Sequence, residues 1–315
     1  MKPDLFQAPD YYNLDDLLTE EHKLVRESAR AWVKREVSPI IEDFAQRAEF
    51  PKQLIKGLGE IGGFGPYIPE EYGGAGLDQI SYGLLMQEIE RGDSGIRSTS
   101  SVQSSLVMYP IWKYGNEEQR KKYLPKLATG ELMGCFGLTE PDHGSDPASM
   151  VTHFEDKGDH YLLNGAKMWT TGAKVADRLL VLARTDKNVE KNHHGLTMFF
   201  VDGKSPGITA SLLPKLGMRA MGSCSVAYDD VFVPDCDVLG EPGKAWYAML
   251  PTLNNERIMV GAQCLGAIDG VLEDALDYMK TRKAFGGIIG RFQILQHYVA
   301  DIATSQKLTE LLLYN

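Results

Sequence analysis

Residues 134–146 read GCFGLTEPDHGSD and residues 164–172 read NGAKMWTTG, and each segment has the pattern of a β-strand that ends in small, hydrogen-bonding residues. Before the second segment, the alternating run HYLL leads into Asn164 and Gly165. This dipeptide predicts a hairpin turn, because both residues tolerate positive φ. Strand ends of this kind offer backbone N–H groups, hydroxyls and, at Trp169, an aromatic wall. We therefore expect a site for a flat, polar ring system that carries phosphates.

The alternating pattern extends beyond these two segments, with Gly and Pro residues between the runs. Short strands at this spacing predict a small antiparallel β-barrel or sandwich rather than βαβ units, and we assign it to residues 134–240. The candidate strands are Cys135–Thr139, Val151–Phe154, His160–Leu163, Lys167–Thr170, Leu179–Ala183, Leu196–Val201, Ile208–Leu212 and Ser225–Val231.

The part before the sheet, residues 1–133, has apolar residues at helical spacing and is predicted to be a helical domain. Thr19 is a candidate N-cap, and Pro39 is expected to divide or kink the first helical run. The glycines at 57, 59 and 62 match a dinucleotide-binding pattern, but a helix-like run precedes them, so they predict a capped helix end. The predicted helices cover residues 19–46, 53–59, 78–90, 98–108 and 117–127.

The part after the sheet, residues 241–315, returns to helical spacing. We predict one helix over Ala245–Arg282 and a second from Phe292 onward, joined by a glycine-rich, hairpin-type connection. Two helices with wide apolar faces rarely bury themselves alone. The expectation is an incomplete four-helix bundle, in a chain that is cut short or completed by a partner.

The 315-residue chain has a formal net charge of −10, which disfavours a broad nucleic-acid-binding surface. No apolar run approaches the length of a membrane span, and the acidic, aromatic segment 4–12 lacks the features of a secretory signal. We therefore expect a soluble, cytoplasmic protein that binds neither nucleic acid nor membranes. Neither the four scattered cysteines nor the adjacent His193 and His194 have the spacing of metal ligands, so no metal site is predicted.

Taken together, the two strand-end segments closely resemble the flavin-binding middle domain of the acyl-CoA dehydrogenases. The resemblance implies FAD as cofactor. In such a site, Thr139 would bond the pyrimidine edge of the flavin, Trp169 would cover one face, and Thr171 would donate to N5. Ser145 would lie where the flavin phosphate meets the CoA arm. The implied cofactor-binding residues of the two segments are Phe136, Leu138, Thr139, Gly144, Ser145, Trp169, Thr170 and Thr171.

A third similarity lies in the C-terminal part, where Arg282, Phe285 and Gln293 match the family's R-x-x-F-G…Q signature. In the family, the Arg and Gln reach the flavin pyrophosphate and adenosine arm of a neighbouring subunit. The resemblance therefore implies a homo-oligomer, a dimer of dimers. It also implies an acyl-CoA substrate and an electron-transfer flavoprotein as electron acceptor.

The implied reaction removes an α-proton from an acyl-CoA thioester and transfers a hydride from the β-carbon to the flavin. The proton is too weakly acidic for a carboxylate in water, so the base needs a dry site in which its pKa rises. Glu256 resembles the base of the isovaleryl and long-chain types, and its neighbours Asn255 and Arg257 resemble residues that hold the CoA part. An exposed Glu near the start of a helix, favoured by the helix dipole, is the alternative.

Residues 90–108 are similar to glutaryl-CoA dehydrogenase, in which an Arg and the adjacent Ser bind the free carboxylate of a dicarboxylic acyl group. Arg97 and Ser98 would have that role here. The glutaryl-type enzymes, however, have a small residue at the position of Glu256. Three functions follow: an acyl-CoA dehydrogenase with Glu256 as base, a decarboxylating glutaryl-CoA dehydrogenase, or a flavin- or acyl-CoA-binding protein without dehydrogenation.

Overall fold

A computed structural model describes residues 13–186 and 188–314. The predictions made for the acidic, aromatic N-terminal segment and for Asn315 lie outside these residues. The helices are α1 (Glu20–Trp32), α2 (Ile41–Arg47), α3 (Leu54–Glu60), α4 (Gln79–Gly92), α5 (Ser94–Ser101), α6 (Tyr109–Tyr114), α7 (Glu117–Thr129), α8 (Ala245–Thr281) and α9 (Gln293–Tyr314). The strands are β1 (Gly134–Gly137), β2 (His153–Asp156), β3 (His160–Thr171), β4 (Arg178–Arg184), β5 (Leu196–Asp202), β6 (Ile208–Leu212), β7 (Ser223–Pro234), β8 (Val238–Leu239), β9 (Lys283–Ala284) and β10 (Gly287–Ile288).

The N-terminal helices begin and end largely where the sequence predicts. Thr19 caps α1 through a capping box, in which its side chain accepts from the N–H of His22 and the His22 side chain accepts from the N–H of Thr19. The predicted break at Pro39 is confirmed by the turn between α1 and α2. The helix end predicted at Gly62 is also confirmed, since α3 ends at Glu60 and Gly62 has a φ of 74°.

Two stretches of the N-terminal part are wound as π-helices, which the sequence did not indicate. Val33–Val37 extends α1, and Val102–Met108 continues α5. The single helix predicted over residues 98–108 is therefore the end of α5 followed by a π-helical segment. Such segments are rare and often lie at functional sites. This one packs between β1 and α8.

Eight of these ten strands form one sheet in the order β6–β7–β3–β2–β4–β5–β8, with β1 paired to β4, and β9 and β10 pair with each other as a separate hairpin. The pairing is antiparallel except at β1–β4 and at one bridge between β2 and β4. Both faces of β4 and β5 are covered, because alternate side chains of a strand point to opposite faces. Leu180 and Phe200 join the helical core, whereas Val181 and Phe199 pack in a second core on the other side of the sheet.

The hairpin predicted at Asn164 and Gly165 is wrong, because β3 continues through both residues as a single 12-residue strand. β3 pairs along its length with β7, another 12-residue strand, and this long ladder overrides the local turn preference. The positive φ of Gly165 (135°) appears instead at an irregularity in the β3–β7 register. A Cβ there would lie 2.6 Å from the Thr152 hydroxyl, so the position requires glycine.

In the C-terminal part, α8 and α9 form an antiparallel pair, and α8 packs across α4. The crossing is close at Gly266, where an added Cβ would lie 2.2 Å from the carbonyl oxygen of Gln87 on α4. The Gln87 side chain also donates to Asp269 at 2.8 Å. These contacts fix the position of α8, and with it the position of Glu256, against the N-terminal helices.

Replacing Gly266 with Ala should lower the free energy of unfolding by about 1–3 kcal/mol, because the methyl group has no room against α4. This loss should appear although Ala is favoured over Gly inside helices by about 1 kcal/mol. Gly83→Ala, within α4, is the matched control, because an added Cβ there meets nothing within 4 Å and should stabilise the protein. Urea denaturation of both variants tests the prediction. Equal effects of the two substitutions would contradict it.

Candidate active site

The two strand-end segments lie side by side at the edge of the sheet. The N–H of Met168 donates to the carbonyl of Thr139 at 2.8 Å, which joins the end of β3 to the segment that follows β1. Phe136, Leu138 and Thr139 are half-buried, whereas Gly144 and Ser145 are exposed in the following loop. The structure therefore brings most of the predicted flavin-binding residues together along one rim.

Trp169 has a positive φ of 61° and lies where the β3–β7 register shifts, and 56% of its surface is exposed. This large exposed aromatic surface beside half-buried Thr171 suits a flat ring ligand. Thr170, by contrast, is buried, and its hydroxyl has no hydrogen-bond partner. Its side chain is therefore not presented at the rim together with those of Trp169 and Thr171.

A buried ion pair lies beneath the strand ends that carry Leu138, Thr139 and Trp169. Lys167 is fully buried and lies 2.9 Å from both the Glu140 carboxylate and the Leu138 carbonyl. Glu140 also accepts hydrogen bonds from the N–H groups of Val151 and Thr152. Burial lowers the pKa of Lys167 to about 8, although Glu140 opposes the shift. The pair fixes the direction of the chain just where it supplies Leu138 and Thr139.

A cavity of about 310 Å³ opens beside Thr171, between the sheet and the N-terminal helices. Its volume falls within the range of small-molecule pockets. Its walls are mostly apolar and include Phe50, Thr99, Val102, Met133, Thr171 and Met221. The cavity connects the end of β3 with the start of the π-helical segment.

Glu256 lies on α8 and faces that segment. Its Oε1 atom is 3.4 Å from the Ser101 hydroxyl, and its Oε2 atom is hydrogen-bonded to the Ser105 hydroxyl. Burial raises the pKa of the Glu256 carboxyl above its ordinary value, while Ser105, Arg97 and Ser101 oppose the shift. The exposed-Glu alternative is therefore not supported. The arrangement provides a carboxylate that can accept a proton in a largely dry site.

Arg97 is also near Glu256, but it is buried and already paired. Its Nε donates to Glu90 at 2.8 Å, and its Nη1 donates to the Ser101 hydroxyl at 2.8 Å. Only 3% of Arg97 is exposed, and Glu90 also accepts from Ser94. Ser98 is half-buried, and its carbonyl accepts from Ser101. The guanidinium thus has its charge balanced within the protein.

The other binding residues predicted on α8 and after it do not contact the Glu256 carboxylate. The Asn255 amide nitrogen is buried without a partner, while Arg257 is exposed and donates to Asn254 at 2.5 Å. Arg282, Phe285 and Gln293 are exposed around the β9–β10 hairpin. Glu256 and Thr281, 25 residues apart on α8, are separated by about 38 Å at a rise of about 1.5 Å per residue.

The sequence interpretation missed the roles of Ser101, Ser105 and Glu90. All three lie in the stretch that was compared with glutaryl-CoA dehydrogenase. The usable signal was the spacing of Arg97, Ser101 and Ser105, because residues four apart share one side of a helix. In the part of the chain that the structure covers, no group of three His, Cys, Asp or Glu side chains is placed to hold a metal ion. No described helix is both long and apolar enough to cross a bilayer.

Comparison with known proteins gives consecutive matches along the chain. Family models match the acyl-CoA dehydrogenase N-terminal domain over residues 19–131, the middle domain over residues 135–231, and the C-terminal domain over residues 243–315. A 3-(aryl)acrylate reductase of Clostridium sporogenes is 37% identical over 94% of this chain and 78% of that protein. A glutaryl-CoA dehydrogenase of Desulfococcus multivorans is 37% identical over 96% of this chain and 78% of that protein.

Among solved structures, a glutaryl-CoA dehydrogenase from Mycobacterium smegmatis in complex with FADH2 superimposes with a TM-score of 0.89 at 36% identity. The match covers 96% of this chain and 76% of that one. Together with these matches, the helical part, the sheet with exposed Trp169 and the helix bearing the half-buried Glu256 carboxylate identify an oxidoreductase of the flavoprotein class. The chain belongs to the acyl-CoA dehydrogenase family. Its predicted three-part fold is confirmed.

Proposed function

We propose that this protein is an FAD-dependent acyl-CoA dehydrogenase in which Glu256 removes the α-proton of a saturated acyl thioester. The observation that carries the proposal is the half-buried Glu256 carboxylate, which contacts two serine hydroxyls and whose pKa is raised by burial. A base with a raised pKa is a better proton acceptor when ionised. We also propose the domain division 1–133, 134–240 and 241–315, which the change from helices to sheet and back supports.

The rim of the sheet fits the implied cofactor. Trp169 offers an exposed aromatic face, Thr139 and Thr171 offer hydroxyls, and Ser145 is accessible in the loop after β1. When bound, FAD would accept the hydride from the β-carbon of the substrate. The chain itself orients the ring through this rim, excludes water with the apolar cavity walls, and accepts the α-proton at Glu256.

The distance along α8 supports a homo-oligomer. Arg282, Phe285 and Gln293 lie beyond the end of α8, and about 38 Å of helix separates that end from Glu256. This separation exceeds the length of one FAD molecule, so the three residues would contact the cofactor of another copy. The apolar side chains exposed on α9, among them Tyr298 and Leu312, are available for the same assembly. A dimer of dimers, the electron-transfer flavoprotein as acceptor, and a cytoplasmic location remain predictions.

The pairing of Arg97 favours acyl groups without a free carboxylate. A dicarboxylic substrate would bring a third carboxylate toward a guanidinium that already serves Glu90 and lies in the field of Glu256. Like charges at short range in a buried site are unfavourable. Decarboxylating glutaryl-CoA dehydrogenation is the second candidate, because the resemblance of residues 90–108 to that subfamily implies that Arg97 and Ser98 bind the carboxylate.

Anaerobic titration of the purified, FAD-loaded protein with acyl-CoA thioesters tests these functions. The proposal predicts loss of the yellow flavin absorbance with straight or branched monocarboxylic acyl-CoAs. Faster bleaching by glutaryl-CoA, with release of carbon dioxide, would establish the second candidate instead. Tight binding of all thioesters without bleaching would leave only a flavin- or acyl-CoA-binding protein. Protein that stays colourless with excess FAD would refute all flavin-dependent functions.

A further inference from the structure

We propose that Ser105 is a positioning residue for the base: its hydroxyl donates a hydrogen bond to ionised Glu256 and accepts one from protonated Glu256. This inference rests on the proposed function, since it takes Glu256 as the proton acceptor. It assigns a role to the π-helical segment that faces α8. It also explains how a half-buried carboxyl keeps a hydrogen-bond partner both before and after the proton arrives.

The Ser105 hydroxyl has two neighbours that compete for its single hydrogen. One is Oε2 of Glu256, and the other is the carbonyl oxygen of Ser101, at 2.8 Å. A serine hydroxyl provides one donor and two acceptor lone pairs. It can therefore donate to either oxygen, and whichever neighbour carries a hydrogen of its own can donate back to Oγ. The Ser101 carbonyl carries none, so of these two neighbours only Glu256 can change roles.

The change of roles follows the proton. Before the reaction, the Ser105 hydroxyl donates to the Glu256 carboxylate. The α-proton then moves from carbon to the carboxylate, which breaks the C–H bond and forms a carboxyl O–H bond. The new O–H donates to Ser105 Oγ, and the Ser105 hydrogen rotates toward the Ser101 carbonyl. No proton leaves the site, and the Ser105 hydroxyl and the Glu256 carboxyl each keep a hydrogen-bond partner, which avoids the cost of an unpaired one.

Ser101 holds the other carboxylate oxygen in a different way. Its hydroxyl accepts from Arg97 at 2.8 Å and lies 3.4 Å from Glu256 Oε1. The hydrogen bond to Glu256 is therefore long, and Ser101 mainly relays the positive field of Arg97. Ser105 is the closer partner of Glu256. Removing the Ser105 hydroxyl should therefore shift the pKa of the carboxyl more than removing the Ser101 hydroxyl.

The charged and titratable groups that face Glu256 come from three elements. Arg97 on α5 is permanently cationic and paired with Glu90 of α4. Tyr82 on α4 and Tyr67 in the loop before it are buried, which raises the pKa of both phenols and keeps them neutral. The Tyr82 hydroxyl lies beside Ser104 and Ser105 but has no partner at hydrogen-bond geometry. The two phenols therefore add no charge beside the Glu256 carboxyl.

The experiment compares Ser105→Ala and Ser105→Cys with Ser104→Ala as matched control. Ser104 is the neighbouring buried serine, but its hydroxyl accepts from the N–H of Gly65 and contacts backbone carbonyls, not the carboxylate. The FAD-loaded variants are assayed for the pH dependence of flavin reduction by a saturated acyl-CoA. Infrared titration of the carboxyl band that is absent in Glu256→Gln reports the same group without turnover.

Ser105→Ala should raise the apparent pKa by about one unit in both measurements, because the bond it removes is stronger to the ionised form. The rate should then fall about tenfold at pH values below the shifted pKa. Ser105→Cys, whose thiol is a weak donor, should give a smaller shift in the same direction and decides the question if the Ala variant does not fold. Ser104→Ala should lose stability but keep the pH profile.

An unchanged pKa in both Ser105 variants would overturn the inference, and so would an equal shift in Ser104→Ala. The proposed function fails separately. If Glu256→Gln still reduces flavin at the wild-type rate, Glu256 is not the base, whatever the Ser105 variants show.

Discussion

Replacement of Glu256 by Gln should leave the protein yellow but slow flavin reduction by acyl-CoA by about 10²–10⁴-fold, the usual contribution of a general base. The amide has nearly the size of the carboxyl and can still bond Ser101 and Ser105, so the fold and the cofactor site should persist. It cannot accept the α-proton. Anaerobic stopped-flow measurement of flavin bleaching at saturating substrate gives the rate directly.

Glu273→Gln is the control for this variant, because Glu273 lies on the same helix but is exposed, and it pairs with half-buried Arg91 at 2.5 Å. Its flavin reduction rate should match that of the wild type. A Glu256→Gln enzyme as fast as this control would rule out Glu256 as the base.

Glu256→Gln should also make the protein more stable at neutral pH. Because the folded-state pKa of Glu256 is raised, the folded protein binds this proton more tightly than the unfolded chain does. Its contribution to stability is present below the unfolded pKa and is lost as the pH rises through the folded pKa. Glu256→Gln removes that pH dependence, which denaturation at acidic and neutral pH can measure.

Glu140→Leu should lower the free energy of unfolding by about 3–5 kcal/mol, since it leaves Lys167 as an uncompensated charge in a fully buried position. The N–H groups of Val151 and Thr152 also lose their acceptor. The double variant Glu140→Leu with Lys167→Met should be less destabilised than the sum of the two single changes. Urea denaturation of the three variants gives the coupling energy.

A surface ion pair provides the comparison. Glu155 and Lys157 are 2.5 Å apart but exposed, and Glu155→Gln should change stability by about 0–1 kcal/mol. The Glu140 variant should also bind FAD more weakly, because Lys167 no longer holds the Leu138 carbonyl in place. Additive effects of Glu140→Leu and Lys167→Met would mean that the pair does not act as a unit.

Much of the fold was predictable because local patterns and tertiary packing agree. The strand Ile208–Leu212 has the predicted bounds, and the helix Ala245–Thr281 ends one residue before its predicted end. Where the two disagree, packing prevails. The turn preference of Asn164 and Gly165 is overridden by the long pairing of β3 with β7. The π-helical winding of Val102–Met108 leaves no composition signal that distinguishes it from an α-helix.

The candidate site was predictable to the same extent. Glu256 and the rim residues stand in recognisable segments, so motif spacing indicates them. The side chains that contact the Glu256 carboxylate are not indicated by any motif. Ser101 and Ser105 lie 155 and 151 residues before Glu256 in the chain, and only the packing of α8 on the π-helical segment brings them to its carboxylate. Likewise, the pairing of Arg97 with Glu90 depends on how α4 and α5 meet.

Because α8 crosses α4 so closely at Gly266, a very small change at this crossing, far from the reacting atoms, should affect the rate of the reaction. Gly266 lies ten residues from Glu256, about 15 Å along the same rigid helix. A single methyl group at the crossing would push α8 away from α4 and carry the carboxylate with it. Misplacement of about 1 Å can cost 10²-fold in rate. Activity should therefore fall together with the free energy of unfolding, so turnover and urea denaturation both report on this contact.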